Sequence, residues 1–198
     1  MKKLKLILFF SLIVTAVFSQ NRRDSVYFKA ENYEGIYSEV KEQPIWIKYK
    51  VKNCYYGHSR KGIEFYGTDS IWTSNNGDYY KNVWDRGHMV PAASQNCSKK
   101  MITQTFSFLN VALQHQDLNR KTWRYLEEWE RELANSNDVE VEIDVEFKTN
   151  QILKTGATIP SGFYKTIYLK GSRNLTFSFY FPNTRPSSLN YKDYQIKD

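Results

Sequence analysis

Residues 139–147 alternate without a break, with Val139, Val141, Ile143, Val145 and Phe147 on one side and Glu140, Glu142, Asp144 and Glu146 on the other. A sustained period of two suits only an extended strand with one apolar face, so the chain must build a sheet that buries that face. The four acids form a row rather than converging on a point. They read as a solvated sheet face that discourages edge pairing, not as a metal site. Residues 45–52 repeat the pattern, with Ile45, Ile47, Tyr49 and Val51 opposite Lys48, Lys50 and Lys52. Residues 163–170 and 175–181 are two further strands, and 63–67 a weaker one. Residues 68–82, rich in Asn, Asp, Ser, Thr and Gly, read as loop.

The period changes at 117–134. Trp123, Leu126, Trp129 and Leu133 recur at helical spacing, and Arg120, Arg124, Glu127 and Arg131 stack on the opposite face. Asp117 is the expected N-cap. The architecture expected is α+β: a largely antiparallel central sheet with one main helix, about 117–134, packed on it.

At 198 residues the chain suits one domain and can bury a core without disulfides or metals. It opens with a basic Met1-Lys2-Lys3-Leu4-Lys5, a short apolar run over 6–18 and small residues before a cut after Ser19. That predicts a secretory signal peptide over 1–19 and a single domain over 20–198, exported to the periplasm or medium. An uncleaved anchor is the weaker reading, because the run is short for ~30 Å of hydrocarbon. The net charge of +7 falls by the three lysines of that segment, which permits a polyanionic partner without demonstrating one. Cys54 and Cys97 are either a disulfide or two buried thiols, and spacing does not decide.

There are three histidines, His58, His88 and His115. Only His88 sits in a suggestive setting, Trp84-Asp85-Arg86-Gly87-His88-Met89-Val90-Pro91, where the glycine permits close approach and the arginine suits a phosphate. Downstream come Phe108-Leu109-Asn110 with Gln114, then Asp117-Leu118-Asn119-Arg120, Trp123, and Leu126-Glu127 with Arg131. In this order the set resembles the DNA/RNA non-specific endonuclease family of the ββα-metal, or His-Me finger, superfamily.

The resemblance implies a ββα-metal finger whose strand carries His88 and whose helix is the one at 117–134. It implies His88 as general base, Asn119 as direct ligand of one Mg²⁺ (Mn²⁺ or another divalent cation being possible), and Glu127 acting on the metal through water. Arg86 and Arg131 would bind phosphate, and Asn110 would support the metal and substrate site. Arg86, Arg120 and Arg124 would bind the substrates, DNA and RNA. Lys99 and Lys100 extend the basic set, with a solvated helix face as the plain reading of Arg120 and Arg124. The chain departs from the family pattern at Ala112-Leu113-Gln114, which lacks a proline before the glutamine, and at Ser94. On an ideal helix Asn119 and Glu127 lie ~80° and ~12 Å apart, too far to grip one ion. Either the helix entry is irregular or Glu127 works through water.

The rival readings are a non-catalytic nucleic-acid-binding module and a structural zinc site on Cys54, His58, His88 and Cys97. The five tryptophans read as core rather than as stacking platforms. His58 and His115 have no spacing that demands a role.

Overall fold

The computed structural model describes residues 22–52, 54, 57–171 and 174–197, so the signal-peptide reading lies outside the described residues. Six strands form one antiparallel sheet: β1 (Val26–Lys29), β2 (Tyr33–Ser38), β3 (Gln43–Lys50), β6 (Asp138–Glu146), β7 (Gly162–Lys170) and β8 (Leu175–Pro182), adjacent in that order. Two more, β4 (Trp84–His88) and β5 (Val111–His115), pair antiparallel as a separate ribbon. The α+β architecture with a largely antiparallel sheet is as expected.

The alternation at 139–147 works as read on its apolar side: Val139, Val141, Ile143 and Val145 are buried. Its acidic side has another meaning. β6 is an interior strand, paired to β3 and β7, so the acids guard no edge. Three of the four are matched across the outer face instead: Lys48 meets Glu140 at 2.9 Å and Glu142 at 2.8 Å, and Lys148 meets Glu146 at 2.9 Å. Residues 63–67 are not a strand; only Tyr66 makes an isolated bridge, to Ser107.

The helix covers the inner face. Its first part, Leu118–Trp123, is wound as a π-helix, and α2 (Arg124–Leu133) continues as α, a short α1 (Lys99–Gln104) lying earlier in the chain. Asp117 does not cap it; its carboxylate takes Lys121 Nζ at 2.9 Å. Trp123 and Leu126 are fully buried, while Trp129 and Leu133 are partly buried against the same core. Trp123 packs on Phe163 and Phe181, each at 5.5 Å between ring centroids. The tryptophans are not uniformly core: Trp72 is 46% exposed, under the Arg22 guanidinium.

One inward position breaks the apolar rule. The cross-strand row Ile47–Ile143–Lys165–Phe179 contains a lysine that is 0% exposed. Its ammonium lies 2.6 Å from the Glu130 carboxylate, also 0% exposed, and 4.1 Å from the Trp123 ring centroid. Tyr49 donates to the same carboxylate at 2.7 Å. The close ion contact, the ring face and the tyrosine bond together offset part of the cost of burying the two charges.

Cys54 and Cys97 are joined in a disulfide, with Cα atoms 5.3 Å apart. That removes both thiolates from the zinc reading, and no group of three or more His, Cys, Asp or Glu suited to a metal occurs among the described residues.

Candidate active site

β4 brings His88 to the end of the ribbon, opposite Val111. Gly87 precedes it because nothing larger fits: a Cβ there would overlap the buried Gln114 side chain. The His88 ring packs against the touching pair Phe65 and Phe106, at 5.3 and 5.1 Å between centroids. Asn110 fixes the backbone that follows. Its Oδ1 accepts from Val90 N at 2.9 Å, and its Nδ2 donates to Val90 O at 3.0 Å and to Thr105 O at 2.8 Å. Asn110 is 0% exposed and does not line the cleft; its bonds hold the segment that follows His88.

A cleft of about 580 Å³ opens beside His88. Asn119, Arg120, Arg124, Glu127 and Arg131 line it from the helix, as the sequence groups them. The π winding at Asn119 is the irregular entry that the ideal-helix geometry called for. Asp85, in the ribbon, fixes two of these groups. Asn119 Nδ2 donates to Asp85 Oδ2 at 2.9 Å, and Arg120 Nε and Nη2 fork onto the same carboxylate at 2.8 and 2.7 Å. With its nitrogen donating to Asp85, the Asn119 amide keeps its carbonyl oxygen as an acceptor. Arg124 makes an i,i+4 pair with Glu128 at 3.4 Å.

Arg86 is elsewhere. Its guanidinium lies 5.0 Å from the Tyr79 ring and 5.4 Å from the Phe65 ring, its Nε donates to Asn76 Oδ1 at 3.0 Å, and it does not line the cleft. Residues two apart in a strand share a face, so Arg86 lies on the His88 side of the ribbon, where its guanidinium and the His88 ring both pack on Phe65, outside the cleft lining. Lys99 and Lys100 also stay outside, with Lys100 paired to Glu31 at 3.0 Å. Two residues that spacing did not single out take part: His58 and Arg60 form the opposite wall, together with Asn96. Their loop, Ser59-Arg60-Lys61-Gly62, has no periodicity to reveal its position. Asp85 did have a signal, as the acid that opens the motif.

The two titratable centres are pushed apart. Burial drives the His88 imidazole down to about 4, the Arg60 charge adds to this, and a hydrogen bond to the Arg86 backbone opposes it. The ring is therefore neutral at pH 7. Nε2 has no hydrogen-bond partner among the described residues, so the backbone bond falls to Nδ1. Glu127 moves the other way. Burial raises its carboxyl to about 7 and Glu130 adds to this, while Lys165 and Arg131 oppose.

The ribbon and the helix that follows make a ββα unit, and this unit with its histidine and amide defines the class. The DNA/RNA non-specific endonuclease family model matches residues 11–197, and the chain belongs to that family. It is 28% identical over 143 residues to Endonuclease G, mitochondrial, of Bos taurus, covering 63% of this chain and 48% of that protein. Nuclease EXOG, mitochondrial, of Danio rerio is 31% identical over 103 residues, covering 50% of this chain and 30% of that protein. The chain thus spans half or less of these relatives. A Nuclease of Nostoc sp. is 23% identical over 172 residues, covering 84% of this chain and 63% of that protein. The crystal structure of an EndoG/EndoGI complex shares the fold, with a TM-score of 0.74, 22% identity, and coverage of 86% of this chain and 80% of that one. The mitochondrial relatives overturn one expectation: export to the periplasm or medium does not stand.

Proposed function

We propose that the chain hydrolyses phosphodiester bonds of DNA and RNA, with His88 as general base. One observation carries the reading: a neutral His88 with an unpartnered Nε2 shares a cleft with Asn119, Glu127 and three arginines of the same helix. A neutral imidazole can take a proton from water as the water attacks phosphorus, while the Nδ1 bond to the Arg86 backbone keeps the ring in place. Arg60, Arg120, Arg124 and Arg131 neutralise phosphate oxygens in the cleft. Recognition through phosphate alone carries no sequence information, so cleavage is sequence-blind.

The donor set fits a hard divalent cation. An amide oxygen and one carboxylate are too few for zinc but suit Mg²⁺, which keeps most of its waters; Mn²⁺ accepts the same donors. Asn119 would hold it directly and Glu127 through water. When bound, the cation supplies positive charge for the departing oxygen.

The test is digestion of plasmid DNA and of RNA by the full chain, with Mg²⁺ and with EDTA. We expect cutting of both that EDTA abolishes. Binding without cutting would replace this reading with that of a non-catalytic nucleic-acid-binding module.

A further inference from the structure

The wall opposite the helix hangs on very little. Residues 57–62 carry His58 and Arg60, which line the cleft, yet the loop's own bonds are mostly internal: Lys61 N donates to Ser59 Oγ at 3.1 Å and Ile63 N to Arg60 O at 3.2 Å. Downstream, Ile63 is partly buried against Ala92, Ile102 and Phe106. Upstream, the bonds of the described residues that flank the loop converge on residues 94–97. Lys52 N donates to Ser94 O at 2.9 Å, Gln95 Nε2 to Lys50 O at 2.7 Å and His58 N to Asn96 O at 2.7 Å. The disulfide Cys54–Cys97 lies between these bonds, bridging 43 residues of sequence. The approach is so close that a Cβ at Gly57 would overlap the Asn96 side chain. Asn96 itself lines the cleft.

The fold does not need this cross-link. The apolar core lies between the sheet and α2, and a chain of this length buries enough surface without one. What the cross-link does fix is the height of an exposed cationic side chain over the cleft. We propose that the Cys54–Cys97 disulfide is a positioning element of the nucleic-acid site, holding the 57–62 wall so that Arg60 meets a backbone phosphate lying against the helix arginines. This rests on the nucleic-acid reading above and adds to it a dependence on the oxidation state of one cysteine pair.

The chemistry is a two-electron exchange. A dithiol such as dithiothreitol closes its own disulfide, and Cys54 and Cys97 take up its two protons as thiols. Among the described residues the wall then keeps the His58–Asn96 bond without the covalent link beside it, and Arg60 must be ordered each time substrate binds.

The experiment measures the Kd of a fluorescent DNA duplex in EDTA, so that cleavage plays no part. Oxidised and dithiothreitol-reduced protein are compared across a salt series, with near-UV circular dichroism to monitor the core. We expect reduction to weaken binding about fivefold to tenfold. It should also flatten the slope of log Kd against log salt by about one phosphate contact, which general loosening of the fold would not do. Arg60→Ala should show the same weakened binding in both states. Insertion of two glycines after Gly57, which lengthens the tether of the wall with the disulfide intact, should mimic reduction and decides the matter if the reduced protein unfolds. Equal Kd and slope in folded oxidised and reduced protein would overturn the proposal, as would a further full loss on reducing Arg60→Ala, or wild-type binding by the insertion variant. Oxidised protein that binds no duplex at all would overturn the nucleic-acid reading itself.

Discussion

His88 and Glu127 titrate away from each other, and the signs give a test. The unfolded imidazole takes a proton near 6.5, whereas the folded one refuses it until about 4. Its contribution to stability is therefore present above 6.5 and lost as pH falls toward 4. The unfolded Glu127 carboxyl ionises near 4.5 and the folded one near 7, so its contribution is lost as pH rises across that window. In EDTA, the melting temperature of His88→Gln relative to wild type should rise as pH falls from 6.5 to 4. That of Glu127→Gln relative to wild type should rise as pH climbs from 4.5 to 7. Two flat difference profiles would remove the opposed environments. Asp85 gives a second prediction at this scale. It orients the Asn119 amide, and partners that orient a ligand typically matter 10- to 100-fold in metal affinity. Asp85→Ala should raise the Mg²⁺ concentration for half-maximal cleavage by about that factor. An unchanged Mg²⁺ titration would leave Asp85 with a role toward Arg120 only.

At the scale of elements, α2 is fixed to the sheet by packing and by one buried charge pair. Lys165→Met leaves Glu130 charged and unpaired in the core, at a cost of about 3–5 kcal/mol. Adding Glu130→Leu should recover much of this, because the pair as a whole is worth little more than apolar replacements. Urea unfolding of the single and double variants measures it; simple additivity would mean that the pair is not coupled. Much of this layer was legible. Strict alternation marked β6, and weaker alternation marked β3, β7 and β8, because each buries one face against the helix. The helix was legible from Trp123 and Leu126. Its π entry was not, since winding leaves no mark on apolar spacing, although the Asn119–Glu127 separation required an irregularity or a mediating water. Lys165 was hidden because its partner lies 35 residues away on another element. The ribbon strands β4 and β5 were hidden from periodicity, a strand at His88 coming only through the family resemblance: Gly87 and the buried run Val111–Gln114 show no period of two. Residues 63–67 failed as a strand because Phe65 packs on the His88 ring and not into a ladder.

At the scale of the molecule, a six-stranded sheet carries one helix, and a two-stranded ribbon faces that helix across the cleft. The helix side of the site could be read in advance because its residues share one element and its spacing. The far wall could not: Arg60 reaches the cleft through a loop, a disulfide and one hydrogen bond, none of which is periodic. Arg86 shares the His88 side of the ribbon, as a spacing of two requires, but its guanidinium packs on Tyr79 and Phe65 rather than lining the cleft, which spacing does not show. The compartment was misread because a basic start and a short apolar run describe a targeting pattern, not its destination. The central claim is that His88 removes the proton from the attacking water. Its most direct test is the single-turnover rate of duplex cleavage at saturating Mg²⁺ by wild type and by His88→Ala, after circular dichroism has established that both are folded. The account predicts a loss of about 10²–10⁴-fold with duplex affinity retained. A variant that cleaves at the wild-type rate would contradict it.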